Sequence, residues 1–205
     1  MDVYAQVARA YMDGLRGRAE SGGDLTTVAS VASFFVSRID VLIDRLLEEK
    51  RAAGHDVDRL LGKAGIASAR LAYTCFEELF SPVGGFAALA AEGARVQRPL
   101  WASTSTKNPA YPDTMYVDGL IGPQTVNTLP PDTIHAALDH CRTEVTIDED
   151  LDQARATLVE LSDLGIDLGA VTRQLSVEGI GLFARSFCDL LENLERKRMT
   201  LRAAR

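Results

Sequence analysis

The stretch Val31-Ala32-Ser33-Phe34-Phe35-Val36 decides the fold class. It is short, rich in Val and Phe, and barely alternates between apolar and polar residues, which is typical of a strand buried on both faces. Two later runs have a similar character, Pro99–Ser103 and Val126–Leu129. Helical patterns separate the three runs, and this alternation predicts βαβ units with a parallel sheet.

Helical periodicity, capping residues and glycines set the predicted helix boundaries. Four helices are expected before the second strand: Asp2 to about Gly22, Asp40–Gly54, Val57–Phe80 and Phe86–Gly93. Four more are expected after the third strand: Asp132–His140, Glu149–Leu164, Leu168–Gly179 and Ile180–Leu201.

The number of strands is small for the length of the chain. Parallel strands with right-handed crossovers belong to barrels or to doubly wound sheets. A complete (β/α)₈ barrel uses about 250 residues for eight strands, whereas these 205 residues contain three strand candidates. Three parallel strands cannot close a barrel, so two sheet edges and one strand face should stay uncovered. We therefore expect a single domain over residues 1–205 that is either incomplete or completed by another copy or a partner.

Composition limits the classes of function. The net charge of −7 and pI near 5.0 argue against a broad nucleic-acid surface, which needs clustered Lys and Arg. No apolar run is long enough to span a membrane, and the N-terminus lacks a signal-peptide pattern. A cytoplasmic protein is expected, in which Cys75, Cys141 and Cys188 are buried free thiols and not a disulfide framework.

Arg38 is the first candidate ligand-binding residue. It follows the first predicted strand directly, and in parallel α/β folds ligands bind where strands end and loops begin. An arginine there can hold a phosphate bidentately. The alternative interpretation is an ion pair with Asp40 or Asp44 on a helix surface.

The segment after the second strand is the next candidate. Ser103-Thr104-Ser105-Thr106 offers four hydroxyls, and Lys107 adds a positive charge, which together make a reasonable anion cradle. The alternative is a polar loop whose hydroxyls cap the following helix. In the third segment, Val126–Pro130, Asn127 and Thr128 could face a pocket, but they are expected to satisfy backbone groups at the strand end.

No catalytic nucleophile, metal site or cofactor site is predicted. His55, His135 and His140 lack metal-ligand spacing. A Schiff-base lysine needs an apolar setting that lowers its pKa. None of the four lysines, Lys50, Lys63, Lys107 and Lys197, is flanked by apolar strand residues.

Four segments carry a family resemblance: SVASFFVSRID (30–40), GKAGIASARLAY (62–73), RPLWASTSTKNPAYPDTMYVDGLIGPQTVNTLP (98–130) and ALDH (137–140). Through them the chain resembles the class I transaldolase family. The resemblance implies an α/β fold that is a partial (β/α)₈ TIM barrel, comprising the last three βα units and the C-terminal helices. It implies transfer of a dihydroxyacetone unit between sugar phosphates in the pentose phosphate pathway. The family's Schiff-base lysine and its two acidic residues lie on earlier strands, which by similarity would precede Met1.

The resemblance also implies a substrate site. The family has a serine and an arginine five residues apart on strand six, and Ser33 and Arg38 keep that spacing. Ser103 matches the serine after strand seven, and Lys107 is the available base, although the STSTKN loop departs from the commonest family spacing. Expected ligands are sugar phosphates of the fructose 6-phosphate and sedoheptulose 7-phosphate class. The chain alone is expected to have little activity. It could act as a non-catalytic half-barrel with an N-terminal-half partner, as a homo-oligomer, or as an inactive interaction protein.

Overall fold

The computed structural model describes residues 2–203. Up to the third strand the elements are α1 Asp2–Glu20, β1 Ser30–Phe35, α2 Val36–Ala52, α3 Ala64–Phe80, α4 Ala87–Ala91, β2 Gln97–Ala102, α5 Met115–Asp118 and β3 Val126–Asn127. The later helices are α6 Pro131–His140, α7 Leu151–Asp163 and α8 Leu168–Ala203. The described residues divide into two compact units, one up to Ile166 and one from Asp167 onward.

The first unit contains a three-stranded sheet of order β1-β2-β3, in which both pairings are parallel. In the register, Phe34 lies opposite Trp101, and Leu100 lies opposite Val126. Helical segments occur between successive strands, so the predicted α/β fold with a small parallel sheet is confirmed. This arrangement is consistent with consecutive βα units of a TIM-type fold.

One face of the sheet packs into the main hydrophobic core. The Phe34 ring lies 5.1 Å from the Tyr4 ring and 5.5 Å from the Trp101 ring, measured between centroids. Trp101 is fully buried, and its indole N–H donates a 3.1 Å hydrogen bond to the Leu120 carbonyl. Because a buried indole N–H needs an acceptor, this bond fixes the segment between β2 and β3 against the strand.

The opposite face of β1 is partly exposed. Side chains alternate along a strand, so Val31, Ser33 and Phe35 share this face, and Val31 and Phe35 keep 44% and 37% of their surface exposed. Within the described residues, β1 and β3 each pair with one strand, which leaves two sheet edges open. These features match the expectation of open edges and an uncovered strand face.

The predicted start of the second helix was wrong. Asp40 was expected to open it, but α2 begins at Val36, directly after β1 ends at Phe35. No side chain caps this end. Instead the Ser37 N–H donates to the Ser103 carbonyl at 3.1 Å, so a tertiary contact replaces the local cap that the sequence suggested.

The predicted helix Val57–Phe80 begins later than expected, at Ala64. Gly62 adopts φ +66° and separates the preceding turns from α3. Gly65, inside α3, has no room for a side chain, because an added Cβ would lie 2.7 Å from Asp40 Oδ2 and 2.9 Å from the Val36 carbonyl oxygen. The two glycines therefore mark a break before α3 and a close approach between α2 and α3.

The second unit contains one continuous helix, α8. Two helices meeting near Gly179 were predicted, and that boundary was wrong. Glycine inside a helix costs only about 1 kcal/mol relative to alanine, and the segment contains no proline, so propagation continues through Gly179 and Gly181. The side chains of Ile180, Leu190 and Leu194 are exposed on this helix.

The cysteines are free thiols, as expected, but they are less buried than expected. Cys75 and Cys141 are half-buried and Cys188 is exposed. In the described part of the chain, no helix is both long and apolar enough to cross a lipid bilayer.

Candidate functional site

Two serines join the carboxyl ends of β1 and β2. The Ser37 Oγ lies 2.8 Å from the Ser103 Oγ, and the Ser37 N–H donates to the Ser103 carbonyl. Ser103 adopts φ +57°, a left-handed conformation that non-glycine residues rarely adopt. The chain therefore leaves β2 through a strained residue whose polar groups bind the first turn of α2.

Arg38 lies in this first turn, half-buried, with its guanidinium carbon 4.8 Å from the centroid of the Phe35 ring. Within residues 3–202 it forms no ion pair with a carboxylate. The alternative of a pair with Asp40 or Asp44 does not occur, because those carboxylates accept hydrogen bonds from Gly65 and Gly62. A basic residue at a helix N-terminus that has no side-chain cap adds to the positive end of the helix dipole. This position favours an anion.

Ser33 lies on the same side of β1 as this arginine. Its side chain shares the exposed face of β1 with Phe35, and the guanidinium of Arg38 lies over the Phe35 ring. Ser103 follows Ala102, which lies opposite Phe35 in the register. Three of the four predicted site residues, Ser33, Arg38 and Ser103, thus belong to the adjoining ends of β1 and β2.

Thr128 satisfies a backbone group at the strand end, as expected, whereas the Asn127 side chain bonds another side chain. The Thr128 hydroxyl donates to the Trp101 carbonyl at 3.2 Å. The buried Thr104 hydroxyl contacts Asn127 Oδ1 at 2.9 Å and the Thr128 carbonyl at 3.1 Å. Thr104 is therefore a structural link between β2 and β3, and its hydroxyl is not available to an anion.

Lys107 lies apart from this group. Its ammonium donates to the Ser105 Oγ at 2.6 Å, and the Thr106 hydroxyl donates to the Pro112 carbonyl at 2.8 Å. The hydroxyls of Ser105 and Thr106 thus bind partners inside their own loop. Lys107 lines a cavity of about 250 Å³ that Arg38 does not line.

That cavity is a polar site that the sequence analysis did not predict. Its lining includes Asp40, Asp44, Tyr111 and Tyr116. The Tyr111 hydroxyl donates to Asp44 Oδ2 at 2.8 Å, and the Gly65 N–H donates to Asp40 Oδ1 at 2.8 Å. Two carboxylates four residues apart on one helix, followed by two glycines three residues apart, were the available signal, because i, i+4 side chains share a helix face.

Burial controls the protonation of this cavity. Asp40 is almost fully buried, and desolvation raises its pKa from 3.8 to about 6. Burial, reinforced by the hydrogen bond to Asp44, raises the pKa of Tyr111 above its ordinary range. The Tyr111 hydroxyl therefore stays protonated and acts as a donor to the carboxylate.

The histidines and lysines make no further site that the described residues reveal. His140 Nε2 lies 2.9 Å from Asp113 Oδ1 and Nδ1 lies 3.1 Å from Asp139 Oδ2, and these bonds raise the pKa of His140. No group of three or more His, Cys, Asp or Glu within the described part of the chain could hold a metal. The four lysines lie on helices or loops, and none lies on a strand.

Consecutive parallel strands whose adjoining ends carry an arginine and two serines define an α/β protein with a polar edge. Comparison with known proteins specifies the family. The family model for Transaldolase/Fructose-6-phosphate aldolase matches residues 1–194, and the chain belongs to this family.

Curated relatives agree with this assignment. The chain is 44% identical over 205 residues to a "Transaldolase" of Trichodesmium erythraeum, covering 96% of the chain and 54% of the relative. It is 48% identical over 187 residues to a "Transaldolase" of Mycolicibacterium smegmatis, covering 91% and 50%. It is 45% identical over 203 residues to "Transaldolase 2" of Nostoc sp., covering 95% and 53%. The chain spans about half the length of these relatives.

Proposed function

We propose that this chain forms the phosphate-binding side of a transaldolase, an enzyme that moves a dihydroxyacetone unit between sugar phosphates in the cytoplasm. One observation carries the proposal. Arg38 is held at the carboxyl end of β1, over the ring of Phe35, without an ion pair to any residue from 3 to 202. A half-buried guanidinium with its donors unsatisfied by carboxylates is a ready partner for a phosphate dianion.

Each predicted residue has a distinct role in this proposal. Arg38 binds the phosphate through two N–H donors, and the N-terminus of α2 adds a favourable field. Ser33 lies on the same strand face and hydrogen-bonds the substrate. Ser103 and Lys107 complete the site from the segment after β2. Lys107 acts there only after its side chain leaves Ser105 Oγ and the cavity that it lines in this structure.

Schiff-base formation is not assigned to a lysine of this chain. A lysine that attacks a ketone must lose its proton near neutral pH, which requires a desolvated amine. Lys63, Lys107 and Lys197 are exposed, and Lys50 is half-buried near the end of α2. The proposal therefore places the bond-forming amine in a part of the enzyme that the family supplies on other strands.

The phosphate site is tested by calorimetric titration of the chain with inorganic phosphate and with fructose 6-phosphate. Arg38→Ala should reduce the affinity for both ligands at least tenfold, since a charge-assisted pair contributes about 1.5–3 kcal/mol. Arg45→Ala is the matched control, because Arg45 is an exposed arginine on the same helix. Equal affinities of the wild type and the Arg38 variant would refute the phosphate site.

The assignment of the amine is tested by borohydride trapping. The chain is incubated with fructose 6-phosphate and sodium borohydride, and its intact mass is measured. No adduct is expected on the chain alone. A covalent adduct at any of its lysines would refute this part of the proposal.

A second candidate function is a non-catalytic half-barrel that assembles with another chain, either a second copy or an N-terminal half. The exposed face of β1, with Val31 and Phe35, favours it, because both faces of a parallel sheet are normally covered. The test is analytical ultracentrifugation of the chain alone and mixed with the N-terminal half of a full-length relative. A larger complex with restored transaldolase activity supports assembly, and a monomer in both samples contradicts it.

A further inference from the structure

We infer that the hydrogen bond between Tyr111 and Asp44 is a latch that fixes the loop 104–113 against helix α2. The inference deepens the proposed function and rests on it where phosphate binding is concerned, because this loop carries Lys107. The latch consists of Asp44, Tyr111 and Gly62. Tyr111 and Asp44 are therefore positioning residues, which act on the phosphate site without touching the phosphate.

The bond itself is well formed. The Tyr111 hydroxyl donates to Asp44 Oδ2 at 2.8 Å, and the Gly62 N–H donates to Asp44 Oδ1 at 2.9 Å. Both oxygens of the carboxylate are thus occupied, one by the loop and one by the backbone before α3. Hydrogen bonds to an ionised acceptor are about twice as strong as neutral ones.

The ring of Tyr111 packs directly against Gly62. A Cβ at residue 62 would lie 2.8 Å from Tyr111 Cζ and 2.9 Å from Cε2. Gly62 also has φ +66°, so both its conformation and its lack of a side chain suit this contact. The latch therefore requires a glycine at position 62 in addition to the hydrogen bond.

Asp44 is held in place because a hydrogen bond joins α2 to α3 one turn earlier, at Asp40. Asp40 accepts a 2.8 Å hydrogen bond from the Gly65 N–H. This bond is buried, and Gly65 allows the close approach of the two helices. Asp44 thus presents its Oδ2 to the Tyr111 hydroxyl from a fixed position.

Other bonds of the loop do not tie it to α2. The Tyr111 N–H donates to the Asn108 carbonyl, and the Thr106 hydroxyl donates to the Pro112 carbonyl, which stabilise turns within the loop. Asp113 contacts His140, at the end of α6. The same helix, α2, carries both Asp44 and Arg38. The latch therefore sets where the loop lies relative to the proposed phosphate-binding arginine.

The test compares Tyr111→Phe with the wild-type chain by amide hydrogen exchange and phosphate titration. Phenylalanine keeps the ring on Gly62 and removes only the hydroxyl. Exchange at the amides of Ala110 and Tyr111, both bonded within the loop, should accelerate about tenfold, because loss of a charge-assisted bond changes local opening by that order. The affinity for inorganic phosphate should fall about threefold, with the melting temperature close to that of the wild type.

Tyr11→Phe is the matched control. The Tyr11 hydroxyl also forms a 2.8 Å bond, to the Arg95 carbonyl, and its loss should leave loop exchange and phosphate affinity unchanged. Asp44→Ala and the double variant complete a double-mutant cycle. The double variant should accelerate loop exchange no more than Asp44→Ala does, since both changes remove the same bond.

The outcomes separate the latch from the proposed function. Unchanged loop exchange in Tyr111→Phe overturns the latch, and accelerated exchange with unchanged phosphate affinity overturns its role in positioning the phosphate site. If the wild type binds no phosphate but loop exchange is still faster in Tyr111→Phe than in the wild type, the proposed function fails. The latch then stands as a structural device.

Discussion

The side chains of Ser37 and Ser103 meet at 2.8 Å across 66 residues of sequence and join the first turn of α2 to the end of β2. This contact lets α2 begin without a local cap, and it holds Ser103 in a left-handed conformation. The proposed phosphate site is therefore built on a tertiary contact between two strand ends.

Ser103 should respond differently to alanine and to glycine. Ser103→Ala loses the contact with Ser37 Oγ and keeps the strain at φ +57°. Ser103→Gly loses the same contact but adopts that conformation without strain, which is worth about 1 kcal/mol. Chemical denaturation should find the glycine variant more stable than the alanine variant by about 1 kcal/mol. Equal stabilities would mean that the left-handed conformation is not retained in solution.

Gly65 should not tolerate alanine. Its Cβ would lie 2.7 Å from Asp40 Oδ2 and 2.9 Å from the Val36 carbonyl oxygen, and forced shifts in a packed region cost about 1–3 kcal/mol. Gly14→Ala is the control, because Gly14 lies inside α1 with open space around it. That change should stabilise the protein by about 0.5–1 kcal/mol. Thermal unfolding of both variants measures the contrast.

Asp40 should make stability depend on pH in an unusual direction. Its pKa is raised to about 6 from 3.8 by burial, so the folded state binds this proton more tightly than the unfolded state. The resulting stabilisation is present below 3.8 and is lost as the pH rises through about 6. The difference between the two pKa values corresponds to an upper limit of about 3 kcal/mol in the free energy of unfolding.

Asp40→Asn measures this contribution. Asparagine is neutral at every pH, and its Oδ1 can still accept from the Gly65 N–H. The free energy of unfolding of the variant minus that of the wild type should rise by roughly 2–3 kcal/mol as the pH increases from 4 to 7.5. The other titratable groups that line the cavity, Asp44, Lys107, Tyr111 and Tyr116, are present in both proteins. A difference that stays constant with pH would contradict a raised pKa at Asp40.

His140 should titrate above its ordinary pKa because Asp113 and Asp139 accept its ring N–H groups. The stabilisation by the pair with Asp113 is present below the unfolded pKa and is lost as the pH rises through the folded pKa. NMR titration should show that Asp113→Asn lowers the pKa of His140 more than Asp139→Asn does, because Asp113 makes the shorter hydrogen bond to the ring, 2.9 Å against 3.1 Å. The reverse order would show that the contact between α6 and the loop does not persist in solution.

The sequence predicted the parts of this structure that local patterns control. The apolar run around Phe34 predicted β1, and its order with the two later runs predicted the parallel sheet. Arg38 was recognised because residues after parallel strands meet at one edge. Ser103 was a candidate from its position at the end of the second strand, and Ser33 was found from the family pattern.

The errors arose where tertiary contacts override local rules. Asp40 looked like a helix cap, but its carboxylate is buried against Gly65, and Ser103 takes over the capping of α2. The cavity between α2 and the loop 104–113 was missed because its partners, Asp44 and Tyr111, are 67 residues apart. Sequence spacing cannot show such a pair, although Gly62 marks the place where the ring is seated.

The most direct measurement of the central claim follows the Nε–H resonance of Arg38 by ¹⁵N NMR during titration with inorganic phosphate. The resonance is assigned from its loss in Arg38→Ala. The account predicts a saturable shift of this resonance, together with no comparable shift for Arg45. The account would be contradicted if the Arg38 resonance does not shift during the titration, whether phosphate binds elsewhere on the chain or does not bind at all.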